Sequence, residues 1–119
     1  MSEQPAAART AAAEEPFRPE IFLYGVNTPV CACYLVNSRD FVLGRGDKCG
    51  GAIRFSDEIS PEHARIVLKN GTYYVSDLGS LNKTFLNGQM LTPGEEYPLS
   101  VGDRVTLSIY HFMVDRISE

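Results

Sequence analysis

Three residues on three separate turns carry the polar chemistry that this sequence can direct at a ligand. Arg45 stands between Gly44 and Gly46, Ser60 follows "DEI", and Asn82 lies within "GSLNKT". A guanidinium is a planar cation with several N–H donors, and it stays protonated at any physiological pH. Flanking glycines let the main chain turn sharply and come close to a ligand with no Cβ in the way. A serine hydroxyl can donate to an anion, and a carboxamide offers donor and acceptor together. Such a set matters because the chain is acidic, with 11 Lys and Arg against 15 Asp and Glu and a formal charge of -4. An acidic domain binds an anion only through a local patch of donors, and the same balance argues against nucleic acid as the partner.

The other reactive side chains point to less. Cys31, Cys33 and Cys49 are an odd number, which argues against a closed disulfide framework. They read as reduced thiols, and the expected location is cytoplasmic. Cys31 and Cys33 share one face of a strand, and Cys49 and His63 add no paired spacing of the kind a zinc site needs. "GRGDKCGG" lacks the lysine and Ser/Thr ending of a nucleotide phosphate loop. A general base at His63 would need a nucleophile in reach. No cofactor, metal or enzymatic activity is expected. No run approaches the roughly 18 apolar residues of a membrane helix, and the N-terminus lacks a basic region followed by a long apolar one. Neither membrane insertion nor secretion is expected.

These turns need elements to position them, and the pattern supplies short strands. Residues 1–20, "MSEQPAAARTAAAEEPFRPE", are rich in Ala, Pro and Glu without a lasting period, and read as a flexible tail or linker with Phe17 as a local docking point. Residues 21–119 read as one domain. "EIFLYGV", "VCACYLV" and "DFVLG" look like strands. In "HARIVLK" the residues Ala64, Ile66 and Leu68 share one face, opposite Arg65, Val67 and Lys69, the period of a half-buried strand. Asn70-Gly71 and Asn87-Gly88 are two-residue hairpin signals, because both positions of the favoured turn need positive φ. Gly102-Asp103 marks another turn, and the alternation breaks phase at Ser108-Ile109, as at a bulge or tight turn. No segment reads as a helix of more than about a turn. The expected class is all-β, an antiparallel two-sheet sandwich, with a small barrel as the structural rival.

Four motifs in order name a family. Leu43-Gly44-Arg45-Gly46, Ser60-Pro61-Glu62-His63-Ala64, the run from Asp77 through Leu78-Gly79-Ser80-Leu81-Asn82-Lys83-Thr84-Phe85-Leu86 to Asn87-Gly88, and Leu99-Ser100-Val101-Gly102-Asp103 together resemble the forkhead-associated domain. The likeness runs from about Ile21 to Ile117. It implies a sandwich of about eleven strands whose loops at one end bind phosphothreonine in a partner protein. By the same resemblance Arg45 and Ser60 contact the phosphate and Asn82 holds the peptide backbone. His63 is a buried histidine bracing the Ser60 loop against the Asn82 loop. Asn87, followed by Gly88, is a structural asparagine.

Two positions depart from the family pattern. Pro61 stands where many members carry Arg, Lys or Asn, and proline has neither a side-chain donor nor a backbone N–H. Leu81 stands where Thr or Ser is common; it is expected to pack against neighbouring apolar groups, and exposed it would instead join a protein interface. Lys83 replaces the usual glycine after the asparagine and, with Lys48, could return positive charge to the phosphate. Pro61 and Leu81 are counted with Asn82 on the peptide side of the site. The functional expectation is a phosphothreonine-dependent interaction module of a larger signalling protein, reading a threonine-phosphorylated protein or peptide written by an upstream Ser/Thr kinase. The alternative is a phosphate-independent scaffold or oligomerisation domain of the same fold. An RNA-binding barrel is opposed by the acidic charge, and by Tyr73 and Tyr74 facing opposite ways.

Overall fold

The computed structural model describes residues 17–118. The tail expected over residues 1–20 therefore lies, for residues 1–16, outside the described residues. Of the remainder, Phe17 packs beneath the Arg39 guanidinium at 5.4 Å.

Eleven strands are found among the described residues: β1 (Ile21–Gly25), β2 (Cys33–Leu35), β3 (Asp40–Gly44), β4 (Gly51–Ala52), β5 (Ala64–Lys69), β6 (Thr72–Asp77), β7 (Thr84–Leu86), β8 (Gln89–Met90), β9 (Tyr97–Leu99), β10 (Arg104–Leu107) and β11 (Tyr110–Arg116). They form a six-stranded sheet in the order β2-β1-β11-β10-β7-β8 and a five-stranded sheet in the order β4-β3-β5-β6-β9. Every pairing is antiparallel except the short parallel contact of β3 with β4. The expected sandwich is the fold, with this one parallel exception.

Between the sheets lie the alternate residues that the period of two selects. Leu23, Phe112, Val114, Val105 and Leu107 from one sheet face Phe41, Leu43, Ile66 and Val75 from the other, all at most 2% exposed. Burying a side chain of this size contributes about 1.5–3 kcal/mol, so this double row holds the layers together. Val67 is also buried although its parity places it on the outer face.

The turns follow from their residues. Asn70 and Gly71 have φ of 52° and 81°, and Asn87 and Gly88 have 52° and 88°, the paired positive values that a two-residue hairpin demands. The break in phase is a tight turn: Leu107 pairs with Tyr110 across Ser108-Ile109, with Ser108 at φ 60°. Strand direction then sorts the connections. Those after β3, β4, β6 and β10 gather at one end, and the β5–β6 and β9–β10 turns lie at the other. A cavity of about 620 Å³ at that other end is lined by residues such as Glu20, Tyr73, Val101 and Arg116, far from the three candidate turns. No helix of the described residues is long and apolar enough to cross a membrane.

Candidate functional site

Arg45 leaves the end of β3 and binds the β4–β5 loop twice. Its main-chain N–H donates to the Ser60 carbonyl at 3.0 Å, and its Nε donates to the Ile59 carbonyl at 2.5 Å. Ile59 is fully buried, so the loop that accepts these bonds is itself anchored in the core. Arg54, Arg65 and Lys69 pair with Asp47, Asp40 and Glu96, whereas no carboxylate among the described residues pairs with Arg45. The guanidinium is half-buried, with its position set through Nε and its charge unpaired by any carboxylate of the described residues.

The two glycines around it serve a different end from the one expected. Neither has a positive φ. A Cβ on Gly44 would collide with the Pro61 carbonyl and come within 2.9 Å of the Ser60 oxygen, and one on Gly46 would lie 3.0 Å from the Pro61 oxygen. Their missing side chains make room for the 60–61 main chain. The Gly46 N–H then donates to the Pro61 carbonyl at 3.0 Å, and the Cys49 thiol donates to the same oxygen at 3.1 Å. Burial pushes the Cys49 thiol up, assisted by the Glu62 carboxylate, which keeps it in its donor form. Pro61 itself is exposed and edges a depression of about 330 Å³ shared with Lys48, Asp47 and Glu62.

Ser60 and Asn82 meet Arg45 through this loop. Ser60 Oγ accepts the Leu81 N–H at 3.0 Å, which occupies a lone pair and leaves the hydroxyl proton available to an acceptor outside. Asn82 Nδ2 donates to the Glu58 carbonyl at 2.9 Å. The three turns singled out in the sequence are thus all fastened to residues 58–60. Leu81 is a correction: it does not pack inward but stands 80% exposed beside Ser60 and Asn82.

His63 is the brace between the loops. It is fully buried, Nδ1 accepts the Ser60 N–H at 3.1 Å, and Nε2 lies 2.9 Å from the Lys83 carbonyl. The first contact assigns the proton to Nε2, which donates to Lys83. Burial lowers the imidazole below its ordinary value of 6.5, against the opposing pull of the Lys83 carbonyl and the Asp77 carboxylate. Lys83 has φ 75°, the left-handed region that glycine prefers, and its side chain is exposed. Its carbonyl also accepts the Ser108 N–H at 3.1 Å, while Ser108 Oγ donates to Glu58 Oε1 at 2.7 Å.

Sequence reasoning missed the residues that hold the third loop. Asp77 is fully buried, and its carboxylate accepts the N–H groups of Gly79 and Ser80 and the hydroxyls of Ser80 and Thr84, at 2.5–3.1 Å. An aspartate opening a Gly-Ser turn signals a local side-chain-to-backbone bond, which was legible, but Thr84 as a fourth donor was not. Asn87 is where the resemblance expects a structural residue: its carboxamide accepts from the Arg104 N–H at 2.9 Å and donates to Asp103 at 3.1 Å. Among the described residues no cluster of His, Cys, Asp or Glu could hold a metal ion.

Comparison with known proteins identifies the family of the fold. A family model described as FHA domain matches residues 41–108, over half of the chain. The chain is similar to Protein FraH of Nostoc sp., 40% identical over 52 residues, which is 44% of this chain and 18% of FraH. It spans about a fifth of the length of the curated relatives it matches. Among solved structures, the FHA domain of an Arabidopsis thaliana hypothetical protein is 31% identical, with a TM-score of 0.72 over 85% of this chain and 88% of that one. The N-terminal FHA domain of Saccharomyces cerevisiae Rad53p, solved with a phosphothreonine peptide, shares the fold at 19% identity, with a TM-score of 0.73 over 82% of this chain and 94% of that one.

Proposed function

The chain belongs to the FHA domain family, and on that premise we propose that it is a phosphothreonine-dependent protein–protein interaction module of a larger signalling protein. The observation that carries this reading is the convergence of Arg45, Ser60 and Asn82 on residues 58–60 at one end of the sandwich. A phosphothreonine ester carries about -1.5 to -2 charge and three strong acceptor oxygens. Arg45 offers it a cation that no carboxylate of the described residues pairs, and Ser60 a hydroxyl proton that none of them accepts, while Lys83 adds charge from an exposed position. Asn82, with one amide hydrogen committed to Glu58, keeps its oxygen and second hydrogen for the peptide backbone. Pro61 and Leu81 offer the peptide apolar contact. No covalent step is involved and no cofactor is required. The partner is a threonine-phosphorylated protein or peptide modified by a Ser/Thr kinase, and the three free thiols favour a cytoplasmic setting.

Each charge-assisted contact is worth about 1.5–3 kcal/mol, so Arg45→Ala costs on the order of tenfold to a hundredfold in affinity. The test is calorimetric titration of matched phosphothreonine, phosphoserine and unphosphorylated peptides against the wild type and Arg45→Ala. Binding confined to the phosphothreonine form and lost in the variant supports the proposal. Equal binding of all three peptides overturns it and favours the second reading, a phosphate-independent scaffold, to which the 80% exposed Leu81 at the site's rim lends weight.

A further inference from the structure

Among the described residues the six-stranded sheet ends on β2, and none of them pairs with its outer edge. Val36 N–H donates to Ile21 at 3.1 Å and Gly25 N–H to Ala32 at 2.9 Å, so the residues of even number, 32, 34 and 36, face β1 in the ladder. By the alternation of an antiparallel ladder, the main-chain groups of Cys33 and Leu35 point away from the sheet, and Cys31 precedes the strand in the same phase. None of the described turn, loop or side-chain hydrogen bonds reaches them. Their side chains are all exposed on the outer face, next to Phe22 and Tyr24 on β1, whose rings lie 6.0 Å apart. Natural sheets guard such edges with charges, above all lysine. Here there is none: from Ile21 to Ser38 the chain carries no charged residue.

We propose that β2 is a self-association edge, which pairs antiparallel with β2 of a second copy of this chain and joins two six-stranded sheets. A two-fold axis sets every residue of the edge opposite a residue of the same edge. A charged edge would then meet its own sign, whereas this neutral run meets none. The outward groups also determine the register. All three exposed residues bond only if Cys33 faces Cys33 of the second copy and Cys31 faces Leu35. In such a hydrogen-bonded pair the Cα atoms are about 5.5 Å apart, within the range a disulfide spans.

The test uses the full 119-residue chain. Sedimentation under reducing conditions is expected to show a dimer with rising concentration. Cys33→Glu and Cys33→Lys, exposed substitutions that leave the core untouched, should each weaken it several-fold by setting like charges opposite one another, and an equimolar mixture of the two should restore it. Oxidation of the wild type with copper phenanthroline, which takes two electrons and two protons from a thiol pair, should give a covalent dimer that Cys31→Ser retains and Cys33→Ser loses. A chain that stays monomeric at every concentration overturns the proposal, even if a foreign strand can add to the edge. So does a dimer indifferent to Cys33→Glu, or a cross-link that survives in Cys33→Ser.

Discussion

Ser60 and His63 hold one another across a single turn: the Ser60 N–H donates to His63 Nδ1 at 3.1 Å, which sends the imidazole proton to the Lys83 carbonyl on the far side of the ring. The Ser60 turn and the backbone that follows Asn82 are therefore coupled through one buried ring. Protonating Nδ1 would remove the acceptor that Ser60 uses.

The first expectation concerns pH. His63 is held below its ordinary value of 6.5, chiefly by burial. The unfolded chain therefore binds a proton before the folded one does, and stability rises with pH across that interval. The histidine's contribution is complete above about pH 6.5 and is lost as pH falls through the folded value. Urea unfolding between about pH 7.5 and 5 should show this slope. His63→Asn, which keeps an acceptor near Ser60 and cannot titrate, should flatten it.

Arg45→Lys should not rescue the site. A lysine retains the charge but has no Nε–H to place on the Ile59 carbonyl and no planar fork for a phosphate. Phosphopeptide affinity is expected to fall about tenfold, the equivalent of about 1.4 kcal/mol, with urea stability changed far less. Calorimetry beside a denaturation curve reads both.

Lys83 separates stability from binding. At φ 75° a lysine is strained by about 1–2 kcal/mol, which glycine relieves while gaining freedom in the unfolded chain. Lys83→Gly should stabilise the domain by about 0.5–1 kcal/mol and, by removing a charge near the phosphate, lower affinity. A variant both less stable and tighter-binding would contradict both roles given to this residue.

Asp77→Asn tests the brace of the third loop. The carboxylate accepts four donors, and an amide nitrogen in place of one oxygen sets a donor against donors that need an acceptor. The expected loss is about 2–3 kcal/mol in urea unfolding. Because the 79–83 segment carries Leu81 and Asn82, phosphopeptide binding should weaken in the same variant.

The strands were legible where chemistry is local. Asn-Gly pairs announced two hairpins, the phase break at Ser108 announced a third, and alternation in β5 selected Ala64 and Ile66 for the core. First and second strands proved shorter than their apolar runs, since Val30, Cys31 and Ala32 precede β2 as irregular chain. His63 illustrates where pattern fails: its parity sets it opposite the core face, yet it is fully buried, because the turn from Ser60 folds back before the strand begins. The same holds for Glu58, 24 residues from Asn82 and 50 from Ser108 along the chain. No periodicity encodes such a bond; only the closing of one sheet over the other does. The three polar residues that converge at one end of the sandwich could thus be named from the sequence, while their supports needed the fold.

Ser108 fastens two of the loops at once, the hydroxyl on Glu58 and the N–H on Lys83. Their conformational freedom is surrendered when the domain folds, not when a peptide arrives, so the ordering entropy of recognition falls mainly on the peptide. Encounter then needs only correct mutual orientation, with little remodelling of the receptor. Rival phosphorylated sequences should differ in how long they stay rather than in how fast they land.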